Sequence, residues 1–149
     1  MMEGKIIAIS VSEKKGQQKH NVPEAMLIEN SGIEGDAHAG FMHRQISLLG
    51  IESIETMRQR GAKVNPGDFA ENITVEGIVL YDLPVGTKLT IGDTELEISQ
   101  IGKECHTNCA VFYQVGSCIM PTEGVFAVVK KGGRIRQGDT LVVYHSDAK

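Results

Sequence analysis

Residues 67–101 read GDFAENITVEGIVLYDLPVGTKLTIGDTELEISQI, and their patterning decides the fold class. Apolar and β-branched residues alternate with polar ones in DFAENITV, TKLTI and ELEISQI, the period of two that a half-buried strand requires. Gly92-Asp93, between the last two runs, is a hairpin signal. Outward from this stretch the pattern repeats. Residues 5–12 (KIIAISVS), 24–28, 45–49, 124–129 (GVFAVV) and 139–144 (DTLVVY) all read as strands, the last two joined through Gly132-Gly133 and Gln137-Gly138. Residues 13–20, EKKGQQKH, read as a flexible connection or hairpin tip. Helical spacing is sustained in one place, where Ile51, Ile54 and Met57 recur between Gly50 and Gly61, so the pattern predicts one substantial helix over residues 50–60. Strand after strand with one helix and short helical turns predicts a mainly β, barrel-like single domain over residues 1–149, without the βα alternation of a doubly wound sheet.

Composition agrees with one domain. The 149 residues are 41% hydrophobic and 23% charged, enough to bury a core. Seventeen glycines against 4 prolines, with no Trp, describe a chain that turns often and packs aliphatic side chains. A net charge of -4 without a clustered cationic face argues against a nucleic-acid partner. The N-terminal residues lack the pattern of an export signal, and no apolar stretch has the length of a membrane span. Three cysteines, an odd number, point to reduced thiols and a cytoplasmic protein rather than to a disulfide framework.

Two stretches carry residues capable of chemistry. In KECHTNCAVFYQVGSC, Cys105, His106, Cys109 and Cys118 invite a metal reading, although the spacing matches neither paired zinc elements nor haem attachment. Cys118 reads more simply as a small buried hydrophobe. Cys105 follows a strand, is flanked by Lys103 and His106, and precedes a run, 107–114, able to form a helical turn. Both features favour thiolate, the form a nucleophile or metal ligand needs, and the same argument extends to Cys109. In GIEGDAHAGFMHRQ, small residues permit close backbone approach while His38, His43 and Arg44 offer donors to an anion such as phosphate; a glycine-rich structural turn is the plainer alternative. Asn72, in GDFAENI, either presents its amide to a ligand or satisfies a turn.

Taken in order, GIEGDAHAG with HRQISLL, GDFAENITVEG, LPVGTKLTIG, ISQIGKECH, and MPTEGVFAVV with GGRIRQGD resemble the MOSC domain, named for the C-terminal domain of molybdenum cofactor sulfurases, in its small stand-alone bacterial form. The resemblance implies a β-barrel-like fold and assigns the family cysteine to Cys105, a sulfur ligand of molybdenum in members that hold a molybdopterin-type cofactor. It further implies that Asn72, His38, His43, Arg44 and Lys103 help hold that cofactor. Read through the resemblance, these residues are expected to stand without the N-terminal barrel extension of the amidoxime- and hydroxylamine-reducing relatives and the pyridoxal-phosphate domain of the sulfurases.

The favoured expectation is a module that binds a molybdopterin-type cofactor, or carries sulfur or metal on Cys105, for delivery to a molybdoenzyme or cofactor-biosynthesis partner. The alternatives are a small molybdoenzyme reducing N-hydroxylated substrates with an external electron donor, for which no flavin or iron-sulfur motif is present, and a zinc-stabilised β domain.

Overall fold

The computed structural model describes residues 2–13, 19–36, 45–69, 71–102 and 123–144. Its first strand, β1 (Met2–Val11), is followed by β2 (His20–Val22), β3 (Glu24–Ile28), β4 (Gly32–Ile33) and β5 (Ile46–Gly50). One helix, α1 (Ile51–Gln59), leads to β6 (Ile73–Glu76), and a single 3-10 turn at Leu80–Asp82 precedes β7 (Lys88–Ile91). The chain continues through β8 (Thr94–Ile101), β9 (Val125–Lys131), β10 (Gly133–Arg136) and β11 (Thr140–Tyr144).

Seven strands close into a barrel in the order β1-β6-β5-β9-β8-β7-β11 and back to β1. Closure is made by β1, which pairs antiparallel with β11 from Met2↔Val143 to Lys5↔Thr140 and with β6 from Lys5↔Glu76 to Ile9↔Ile73. A bulge between Ile6 and Ala8 accompanies this change of neighbours. The last residues of β1 also take β2 as a partner, and β3 lies at the centre of a separate three-stranded sheet, β10-β3-β4.

The pair β5–β6 is parallel, with Leu48 opposite Ile73, whereas the other strand pairs of the barrel are antiparallel. A parallel pair needs a crossover connection, and α1 lies in it. That position accounts for the composition of β5, whose five residues are all buried. Ile46 and Leu48 point into the barrel, while Leu49 faces outward beneath α1. The neighbouring β9 divides likewise: Val125, Ala127 and Val129 fill the barrel and Phe126 joins Leu49, Ile54, Met57 and Phe69 under the helix. Two apolar cores thus share two strands, which is why these runs read as continuously hydrophobic.

The helix occupies the residues its periodicity predicts, with Gly50 as an N-cap that makes no side-chain bond. The β7–β8 hairpin turns at Gly92-Asp93, with Ile91 opposite Thr94 and Gly92 at φ +58, the sign a type II′ turn needs at its first central position. Three local expectations change. Strand β6 begins only at Ile73, because the backbone before it folds around the Glu71 carboxylate, which accepts from the N–H groups of Gly67 and Phe69. The link between β9 and β11 contains a strand of its own, β10, which pairs with β3. Residues 14–18 of the expected flexible connection lie outside the described residues, but Lys19 is buried and His20 opens β2.

Gly132, between β9 and β10, lies against the backbone of β3. A Cβ built there would stand 2.5 Å from the Leu27 carbonyl oxygen, a backbone atom that no rotamer change moves. Gly132→Ala is therefore expected to lower stability by about 1–3 kcal/mol in urea denaturation, the usual range for overpacking.

Candidate functional site

Buried polar side chains collect where the C-terminal end of β1 meets the N-terminal ends of β5 and β6. Ser10, Ser12, Lys19, Asp36, Gln45, Ser47, Glu71 and Asn72 are all buried there, and none of the described buried side-chain N or O atoms lacks a hydrogen-bond partner.

Asn72 is the knot between three strands. Its Oδ1 accepts from the Ser47 backbone N–H at 3.0 Å and from the Ser47 hydroxyl at 3.3 Å, and its Nδ2 donates to the Ser10 carbonyl at 3.1 Å. Its own backbone N–H donates to the Ser47 carbonyl at 2.9 Å and its carbonyl accepts from the Ser10 N–H at 2.7 Å. Of the two roles open to this residue in sequence, the structure shows the amide satisfying backbone.

Glu71, fully buried beside it, holds the preceding loop. One carboxylate oxygen accepts from Gly67 N–H at 2.8 Å and Thr74 Oγ1 at 3.0 Å, the other from Phe69 N–H at 3.1 Å. Burial raises its pKa above the ordinary 4.5, outweighing these hydrogen bonds, which favour the ionised form.

The histidine- and arginine-bearing segment 37–44 is anchored at both roots. At its start, Asp36 Oδ1 accepts from the Ser12 backbone N–H at 3.0 Å and from Lys19 Nζ at 2.8 Å. At its end, Gln45 Oε1 accepts from the Val129 N–H at 3.0 Å. The cysteine-bearing segment 103–122 is closed at its neck by the bond from Gly102 N–H to the Gly124 carbonyl, at 2.6 Å, and Gln100 Nε2 donates to the Gly102 carbonyl at 2.7 Å. Just past that segment, the Glu123 carboxylate accepts from the Ser53 hydroxyl in the first turn of α1. This contact borders a cleft of about 90 Å³ lined by Gly50, Glu52, Ser53, Tyr81 and Glu123. Two carboxylates already occupy that helix N-terminus, so its positive end is compensated and the cleft does not suit an anion.

Of the residues singled out in sequence, Cys105, Lys103, His106, Cys109, Cys118, His38, His43 and Arg44 lie outside the described residues. Their roots are nonetheless placed. Strand β9 separates them, with Ile46 opposite Ala127 on one side and Ile101 opposite Val125 on the other. In a flat sheet, Gln45 and Gly102 then stand roughly 16 Å apart, from four residues along β9 and two strand spacings across it. The two segments leave opposite ends of their strands.

Sequence reasoning missed Lys19, Asp36 and Glu71. Asp36 stood inside a quoted motif, but Lys19 carried no local signal, since its partner is separated from it by 17 positions. Among the described residues no group of three or more His, Cys, Asp or Glu could hold a metal, and no helix is long and apolar enough to cross a membrane.

The motifs, the closed barrel and the buried GDFAENI loop now meet an independent observation: the model of the MOSC domain matches residues 35–142. The chain belongs to the MOSC domain family. The family is associated with the molybdenum cofactor. Among solved structures, the YuaD protein from Bacillus subtilis is similar over 97% of this chain and 98% of its own, with a TM-score of 0.82 and 20% identity. YiiM from Geobacillus stearothermophilus is similar over 97% of this chain and 77% of its own, at TM-score 0.72 and 19% identity. YiiM from Escherichia coli is similar over 100% of this chain and 72% of its own, at TM-score 0.67 and 18% identity. These likenesses concern the fold. Comparison with curated proteins finds no match.

Two outcomes follow from the polar knot of this MOSC domain. Asn72→Ala strands the Ser10 carbonyl and the Ser47 N–H, so it should cost about 1–3 kcal/mol in urea denaturation. For Glu71, an acid whose pKa folding raises, the stabilising contribution is complete below the unfolded value of 4.5 and is lost as pH rises through the folded value. The stability of the wild type relative to Glu71→Gln should thus increase as pH falls from neutral and level off near 4.5, in denaturation curves taken across that range.

Proposed function

We propose that the protein binds a molybdopterin-type cofactor, or holds molybdenum or sulfur on Cys105, and delivers it to a partner enzyme of molybdenum-cofactor metabolism. Membership of a family associated with that cofactor supports the reading. The donor set fits the group: a cysteine thiolate is a soft ligand suited to molybdenum, while arginine, lysine and histidine suit the pterin phosphate. When bound, such a cofactor supplies a redox-active molybdenum centre with exchangeable ligands.

The observation that carries the reading is the double anchoring of segment 37–44 through Asp36 and Gln45. Buried hydrogen bonds fix the two residues that flank the segment, and fixed ends lower the ordering cost of binding a phosphate between them. In this arrangement Cys105 binds the metal or sulfur, and His38, His43, Arg44 and Lys103 bind the anionic end. Asn72 takes a supporting place: its amide holds β1 to β5 and leaves direct binding to the basic side chains.

Protein purified from a molybdate-replete host should contain molybdenum and pterin together, by elemental analysis and absorbance. Cys105→Ser should abolish that content with little change in melting temperature. Zinc in place of molybdenum, with unfolding on chelation, or the absence of both metals, would overturn the proposal. Cys109→Ser is the control. If it abolishes loading while Cys105→Ser does not, the ligand is Cys109 and the assignment of Cys105 fails.

A further inference from the structure

Among the described residues seven large hydrophobic side chains are exposed, and six of them, Met2, Val79, Tyr81, Val85, Ile101 and Tyr144, lie at one end of the barrel. It is the end where β1 begins and β8 and β11 finish: Met2 stands opposite Val143, Tyr144 opposite Lys88, and Ile101 opposite Val125. Val79, Tyr81 and Val85 belong to the connection from β6 to β7, whose Ile78, Leu80 and Leu83 pack into the barrel core and leave the residues between them facing water. Exposed apolar side chains scattered singly need no explanation, but their concentration on one face marks an interaction surface.

The same end carries unpaired negative charge. Glu3, Glu52, Asp82 and Glu123 have no ion-pair partner among the described residues, whereas the described cations there stand beside carboxylates, Lys5 opposite Glu76 and Lys88 4.0 Å from Glu95. Two of the free carboxylates are held in place, Glu52 by the Gly77 N–H at 2.9 Å and Glu123 by the Ser53 hydroxyl. Both line the cleft of about 90 Å³ that Val79 and Tyr81 also line. Arginine suits such a lining: its stem packs on apolar surface, its guanidinium stacks on an aromatic ring, and its fork of donors matches a carboxylate. A second copy of this chain does not suit it, because a two-fold contact would set the carboxylates of one copy against those of the other.

We propose that this end of the barrel docks a partner protein through an arginine set among apolar side chains, with the guanidinium between Glu52 and Glu123 and its apolar neighbours covering Val79, Tyr81 and Val85. Gly102 and Glu123, the described residues on either side of the cysteine-bearing segment, lie at this same end, so a docked partner meets the residues that flank that segment. The proposal deepens the delivery reading and rests on it for the partner's role as acceptor.

The probes are three fluorescent peptides of equal length, in which arginine alternates with leucine, glutamate with leucine, or arginine with glycine. In anisotropy titrations with the full chain, the arginine–leucine peptide should bind about 10-fold tighter than either of the others and should weaken as salt is raised. Val79→Ser/Tyr81→Ser truncates side chains that are 51% and 39% exposed, so it should melt as the wild type does and bind that peptide about 10-fold more weakly. Glu52→Gln/Glu123→Gln keeps acceptors for Gly77 and Ser53 while removing the charge; the same loss is expected, and this variant serves where the first does not fold. Ile28→Ser, at the exposed apolar residue outside this end, should bind as the wild type does. Equal binding of the three peptides, wild-type affinity in either folded double variant, or a dimer in analytical ultracentrifugation that Val79→Ser/Tyr81→Ser dissociates would overturn the proposal. Molybdenum content, measured separately on the same variants, should match the wild type, so that failure of docking is distinguishable from failure of the cofactor reading.

Discussion

The structure depends on β1 having two neighbours at once. Its first residues pair with β11 and its middle with β6, so the strands that would otherwise expose unpaired N–H and C=O groups close into a ring. Because closure joins the first described strand to the last, it brings together residues at opposite ends of the described chain. The parallel pair β5–β6 follows from the same ring: two strands running the same way need a crossover, and the helix that lies in it creates the second apolar core around Leu49 and Phe126.

Closure also determines where polar groups accumulate. Near the end of the barrel where β1 leaves and β5 and β6 enter, backbone groups no longer have a full set of ladder partners. Asn72, Glu71, Asp36 and Gln45 each supply the missing bonds, to Ser10 and Ser47, to Gly67 and Phe69, to Ser12, and to Val129 respectively. This layer is costly if any member is removed, because the remaining donors and acceptors are already out of water. Asp36 and Gln45, the residues that flank segment 37–44, belong to it. The amide of Asn72 is accordingly engaged with backbone groups of Ser10 and Ser47.

The cysteine segment is mounted differently. Its neck is a backbone bond between Gly102 and Gly124, reinforced by Glu123 at the start of α1. Strand β9 lies between this neck and the root of the basic segment, so its register sets the spacing of the two halves of the proposed site. The carboxylates of Glu52 and Glu123 place negative charge beside the neck, while Asp36, at the root of the basic segment, is ion-paired with Lys19.

Periodicity by itself determined the strands and the helix. Ile51, Ile54 and Met57 mark a helical face, alternation marks β7 and β8, and Gly92-Asp93 marks their turn, because these signals arise from neighbours in sequence. The motifs likewise determined the family and the candidate residues Cys105, His38, His43 and Arg44. Only tertiary structure decided that the strands close through β1, that β10 is a strand, and that Gly67 to Asn72 is a loop wrapped on Glu71. Tertiary structure alone also assigned Asn72 to Ser10 and Ser47, and Lys19 to Asp36. The physical reason is common to all of these. Each depends on a hydrogen bond or ion pair whose partners meet only after the chain has folded, and a polar residue in sequence carries no sign of whether its partner will be water, a ligand or another part of the chain.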